Sequence, residues 1–285
     1  MEFSPPPSTP KSVICYLLRE FYRLGWCTGS GGGISIREDD NLFLAPSGVH
    51  KEFVMEYDIF ETDLNGKVRV QPKNGALKIS ECTPLFLQAY KLRNAGAVLH
   101  SHSISSLLIT NLFDGEFHCT NLEMIKGIKG HKNTDWCRIP IIKNTEYEPE
   151  LTERLKNAII AYPNAYAVLV ENHGVYIWGA TWQQAKIHAE CYDYLFKAVV
   201  KLQKIGIKIP RTPSPSRSSF RSWYLCDSTQ EDIREDLQGA QVKWAFEEDL
   251  KKVGLSAFKL DGKEENEELE RICKERKYKN RDQVL

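Results

Sequence analysis

The sequence predicts an α/β domain over residues 11–205, with helices packed on a sheet that is largely antiparallel or mixed. Three observations predict it. Apolar residues at helical spacing alternate with short apolar runs along this whole stretch. Many of the strand links are too short for the crossover helices that parallel neighbours require. Composition then changes sharply at "PRTPSPSRSSFRS", residues 210–222, where proline, serine and arginine cannot build a core.

The elements follow in order. The opening "MEFSPPPSTPK" lacks the basic-then-apolar order of a signal peptide, so residues 1–10 read as a disordered leader. A helix is predicted over 11–24: Val13, Ile14, Leu17, Leu18, Phe21 and Leu24 keep helical spacing, Pro10 suits the first turn and Gly25 the stop. "TGSGGGIS" precedes two strands, "ISIRE" and "LFLAP", joined by a turn at Asp39, Asp40 and Asn41. Thr83 and Pro84 open a second helix that ends near Gly96. The strand "AVLHSHS" follows at once, and "ISSLLITNLF" reads as another helix. "YAVLVENHGVYIWG" reads as two strands broken by a turn at Asn172, His173 and Gly174. Thr181 starts a long helix to about Lys204, with Gln184 placed for a capping box. Residues 206–222 read as a linker, and 223–285 as a charged helical appendage rich in lysine and glutamate.

Composition excludes several functions. Lysine plus arginine equals aspartate plus glutamate at 38 each, so no net field draws the chain to nucleic acid or to a membrane. No apolar run approaches the roughly 20 residues of a membrane span. The eight cysteines are scattered and form no C-x-x-C pair, which fits reduced thiols in a cytoplasmic protein rather than a disulfide framework.

Chemistry concentrates at three places. In a strand, residues two apart share a face, so His100 and His102 project together; such a pair either holds a metal or is a polar strand end. His173, beside Gly174, offers a third imidazole, and three neutral imidazoles with an open position match a catalytic zinc site. The glycine turn with Ser30 and the turn of "APSGVHKE", with Ser47 and Gly48, could feed one phosphate pocket. Glu123 and Lys126 lie three apart; an exposed ion pair is the simpler reading, and acid/base work would need burial or a nearby metal.

Taken together, "GWCTGSGGGIS", "APSGVHKE", "ECTPLFLQAY", "AGAVLHSHS", "EMIKGI", "NHGVYIWG" and "ECYDYLF" resemble the class II aldolase/adducin family across nearly all of residues 11–205. The details closely resemble its branch of methylthioribulose-1-phosphate dehydratases. The resemblance implies a three-layer α/β/α domain and one zinc per subunit on His100, His102 and His173, with Glu123 as acid/base. It implies that Ser30, Gly32, Gly33, Ser47, Gly48 and Ser80 line a phosphate site, and that Cys82 and Lys126 face the substrate. The implied reaction is dehydration of a ketose phosphate in methionine salvage, by a cytoplasmic homotetramer with sites between neighbours. Alternatives on the same scaffold are a sugar-phosphate aldolase and a non-catalytic adducin-type interaction protein; Cys82 stands where the aldolases prefer an acidic residue. Asn121 departs from the branch, which carries histidine there.

The tail carries a second resemblance. "SWYLCD", "KKVGLSAFKLDG" and "NEELERICKERKYKNRDQV" are similar to the start of an acireductone dioxygenase. That fold binds its metal through later histidines, and no histidine follows His188, so 223–285 is expected to be an incomplete, non-catalytic segment.

Overall fold

The computed structural model describes residues 7–207; the expectations for residues 1–6, for the linker beyond 207 and for the appendage lie outside the described residues. The first helix, α1 (Pro10–Arg23), starts where Thr9 Oγ1 accepts the Ser12 N–H at 3.1 Å and Ser12 Oγ accepts the Thr9 N–H at 3.0 Å. Pro10 sits in the first turn, where its missing N–H has no partner to lose.

Six short strands follow: β1 (Gly33–Glu38), β2 (Asn41–Leu44), β3 (Pro46–Ser47), β4 (Phe60–Thr62), β5 (Val68–Val70) and β6 (Lys78–Ile79). Then come α2 (Thr83–Arg93), β7 (Ala97–Ser101), α3 (Ile104–Leu112), β8 (Glu116–Cys119), β9 (Cys137–Ile142) and α4 (Thr152–Ala161). The domain closes with β10 (Ala167–Val170), β11 (Gly174–Gly179) and α5 (Trp182–Lys204). Thr181 caps α5 through its hydroxyl, and Gln184 reaches back to the Ala180 N–H at 2.8 Å, one residue earlier than a capping box requires.

Among the described residues, nine strands form one sheet in the order β5-β4-β2-β1-β7-β11-β10-β9-β8. Every neighbour pair is antiparallel except β9 with β10, and α4 supplies the crossover that this pair needs. Side-chain alternation in β7 makes the layers. Ala97 and Leu99 join the core packed with α1, α3 and α5. Val98 and His100 face the other way, toward α2 and α4. On that side Tyr90 of α2 donates to Ser35 at 2.9 Å, and Ser35 is the cross-strand partner of Val98. Phe86 of α2 packs edge-on against Tyr176, the partner of His100. The three-layer α/β/α arrangement is therefore present, with the sheet centre buried on both faces. Fully buried rings such as Phe86 and Phe196 hold it; truncating either to alanine should cost about 3–5 kcal/mol. Among the described residues no helix is long and apolar enough to cross a membrane.

Candidate metal centre

His100 is held rigidly because β7 lies between β1 and β11. Its imidazole stacks on the Tyr176 ring, with centroids 4.1 Å apart and planes 8° from parallel. His102 follows the end of β7, and its backbone N–H donates to the Trp26 carbonyl at 2.8 Å, tying it to the loop after α1. That loop passes so close that a Cβ on Gly31 would meet His102 Nδ1 at 2.3 Å; only glycine leaves room for the ring. His173 comes from the tight turn between β10 and β11. Asn172 takes a left-handed φ of 52° there, and Thr110 Oγ1 accepts its N–H at 3.0 Å. A Cβ on Gly174 would lie 2.2 Å from the Ser101 carbonyl, so the turn can press against β7 only with glycine at this place.

The three Nε2 atoms converge, with His100–His102 at 2.8 Å, His102–His173 at 3.0 Å and His100–His173 at 3.2 Å. The Nδ1 atoms of two of the rings face acceptors: the Val175 carbonyl for His100 at 3.2 Å, and Asn144 Oδ1 for His173 at 3.1 Å. Those acceptors assign the ring proton to Nδ1 and leave the Nε2 lone pairs free. Burial, then repulsion from the neighbouring rings, pushes His102 down to about 3 and His173 down to about 4. Neutral rings with converging lone pairs fit a divalent cation with an open coordination position. His188 shows the contrasting structural case. It is fully buried, its Nδ1 faces the Trp178 carbonyl at 2.8 Å, and its Nε2 accepts the Lys129 N–H at 3.2 Å.

His100 and His102 form one wall of a cleft enclosing about 380 Å³, part of it open solvent. Ser30, Gly32, Gly33, Ser47, Ser80 and Cys82 all line it. The short ribbon of β3 and β6 explains how distant serines meet: Ser47 pairs with Lys78, and Ser80 follows two residues later, shortly before α2. Gly48, at a φ of +65°, turns the chain just behind Ser47 and does not itself line the cleft.

Glu123 and Lys126 are placed elsewhere. They sit on a one-turn 3-10 helix (Glu123–Gly127), where Lys126 Nζ donates to Glu123 Oε1 at 2.8 Å. Their side chains are 72% and 54% exposed, and neither lines the cleft. Asn121 just before them has a left-handed φ of 59°, a conformation that asparagine adopts more readily than most residues.

Two cleft residues escaped the sequence reading. Glu148 Oε1 accepts from Cys82 Sγ at 3.1 Å and from the Tyr176 hydroxyl, and lies 3.1 Å from His100 Nε2. Burial alone would raise its pKa, but its neighbours His100, Tyr176 and Cys82 outweigh that and hold the carboxyl well below the usual range. Cys82 is the counterpart: burial and then Glu148 push its thiol far up, so it donates and is not a nucleophile. The second missed residue is Lys51, buried at 2% exposure.

A family model described as "Class II Aldolase and Adducin N-terminal domain" matches residues 12–200. The chain belongs to the class II aldolase and adducin family. Within it, the chain is 45% identical over 219 residues to a Drosophila grimshawi protein named as a probable methylthioribulose-1-phosphate dehydratase. That match covers 74% of this chain and 95% of the relative. It is 46% identical over 212 residues to the human methylthioribulose-1-phosphate dehydratase, covering 72% and 88%. Among solved structures, an L-fuculose 1-phosphate aldolase superposes with a TM-score of 0.60 at 20% identity, covering 78% of this chain and 96% of that one. YgbL from Klebsiella pneumoniae, described as a putative aldolase/epimerase/decarboxylase, also reaches 0.60, at 16% identity over 76% and 99%. These superpositions place the chain's fold among the class II aldolases.

Proposed function

We propose that this class II aldolase family member is a zinc-dependent dehydratase of 5-methylthioribulose 1-phosphate, forming the 2,3-diketo-5-methylthiopentyl 1-phosphate of methionine salvage. The observation that carries it is the convergence of His100, His102 and His173, of which His100 and His102 line one cleft with Ser30, Ser47 and Ser80. The likeness to two named dehydratases over most of their length supports the choice of substrate.

The three Nε2 atoms would hold the metal, which when bound supplies Lewis acidity toward the substrate's C2 carbonyl. Zinc fits three neutral imidazoles and a reaction without redox change. Around it, the residues of the chain orient and move protons. Tyr176 stacks on His100 and fixes its ring; Val175 and Asn144 hold the Nδ1 protons of His100 and His173. Glu123 takes the C3 proton and returns a proton to the departing C4 hydroxyl, which leaves as water; the enol then tautomerises to the diketone. Lys126, its ion-pair partner, is assigned to substrate contact with it.

Exposure of Glu123 on a single chain accords with a homotetramer in which a neighbour covers it. Helix α3 offers a matching apolar stripe: Ile104, Leu108 and Leu112 are 68%, 40% and 45% exposed at four-residue spacing. Light scattering at working concentration reads that state directly. A cytoplasmic location is supported by six described cysteines, all free and buried. The segment 223–285 is proposed as the acireductone-dioxygenase-like, non-catalytic part, since it holds no histidine to ligate a metal.

Product analysis with 5-methylthioribulose 1-phosphate tests the reading. Loss of water to a diketone is expected; cleavage to two shorter fragments would make the protein an aldolase, and no reaction at full metal loading would leave the adducin-type interaction role. Cys82 in place of an acidic residue favours the first outcome.

A further inference from the structure

Lys51 is the one lysine or arginine among the described residues lining the cleft, and the dehydration chemistry makes no use of it. It begins a 3-10 turn (Lys51–Phe53) just after the "PSGV" turn, and it is buried. Its Nζ donates to the Ser30 carbonyl at 2.7 Å and to the Val49 carbonyl at 3.2 Å. One ammonium thereby ties together the two glycine turns that carry Ser30 and Ser47. Two of its three N–H groups are spent on neutral acceptors. Among the described residues no carboxylate stands within ion-pair distance of it. A buried cation is costly unless it is paired, and burial indeed draws its ammonium below the ordinary lysine range, with Cys27, Cys82, Glu148 and Glu52 only partly opposing that. Ser80, just before α2, lines the same space and adds a hydroxyl.

We propose that Lys51 is the cation that receives the substrate's phosphate: its free N–H meets a phosphate oxygen while the other two hold the Ser30 and Ser47 turns in place. The inference rests on the ketose-phosphate reading above, and it names the charge that this reading lacks. A lysine acting only as a strut between turns would be needed for stability but indifferent to phosphate.

The test uses zinc-loaded wild type, Lys51→Met and Lys51→Arg, with inorganic phosphate as one probe and 5-methylthioribulose 1-phosphate as the other. Lys51→Met should weaken phosphate binding by calorimetry about 10–100-fold and raise KM by a similar factor, with kcat within about threefold; Lys51→Arg should recover most of the loss. Unchanged phosphate affinity in folded Lys51→Met, or a fall in kcat at constant KM, overturns the proposal. Where Lys51→Met does not fold, nitrogen NMR of lysine-labelled wild type decides: phosphate must shift the Lys51 Nζ resonance, and an unmoved resonance overturns it. Wild type that binds phosphate through Lys51 yet dehydrates nothing would sink the dehydratase reading and leave Lys51 as the anion site. Wild type that dehydrates while Lys51→Met binds phosphate equally well would sink Lys51 alone.

Discussion

His100, His102 and His173 come from the rim of a buried sheet, whereas Glu123 stands on a single 3-10 turn with its side chain 72% exposed. Every histidine of the cluster is fixed by something other than itself: a stacked tyrosine, a backbone bond to Trp26, a turn locked by Thr110 and Gly174. Glu123 has one side-chain partner shown, Lys126, which is itself on the surface. The difference teaches that one chain assembles the ligand set completely, while the proposed proton carrier depends on what covers that turn. On the proposed function, pre-organisation belongs to the metal centre, and completion of the acid/base step belongs to assembly.

The sharpest way to break this contrast is Glu123→Gln. Loss of the general acid/base should lower dehydration by about 10²–10⁴-fold while metal content stays at the wild-type level. Full turnover in that variant would remove Glu123 from the reaction and turn attention to Glu148.

Glu148→Gln probes the other side. The carboxylate bonded to Tyr176 and lying beside His100 supports the ring that stacks on that tyrosine, so its loss should weaken metal affinity by about 10–100-fold in chelator competition. An unchanged affinity would make Glu148 a bystander to the centre.

A smaller effect is expected from pH. The folded pKa values of His102 and His173, about 3 and about 4, lie below the ordinary histidine value near 6.5. Below that ordinary value the unfolded chain binds more protons than the folded one. The stability held by these neutral rings is therefore complete above roughly pH 6.5 and is lost as the pH falls toward their folded values. Melting of the metal-free protein should accordingly drop between pH 7 and 5, while dialysis at pH 5.5 should leave metal bound. Release of the metal already at pH 6.5 would mean that the rings are more solvated than their packing implies.

Much of this was readable beforehand, for physical reasons that differ by residue. The i, i+2 rule put His100 and His102 on one face, and Gly174 marked the turn that brings His173 to them. The serine turns were also visible; the β3–β6 ribbon that joins Ser47 to Ser80 was not, because two-residue strands leave no periodic trace. Lys51 was invisible for a statistical reason, since a lysine is almost never fully buried. Glu148 was hidden in "TEYEPELTE", where several acidic residues look alike until β9 and α4 point one of them into the cleft. The Glu123–Lys126 spacing correctly suggested a paired, exposed turn, which a single chain indeed shows.

The most direct measurement is dehydration followed against metal occupancy in one preparation. Chelation should abolish turnover of 5-methylthioribulose 1-phosphate, and added zinc should restore it in proportion, saturating at one ion per chain. Turnover that persists in metal-free protein, or that needs no ion at the three histidines, would contradict the account.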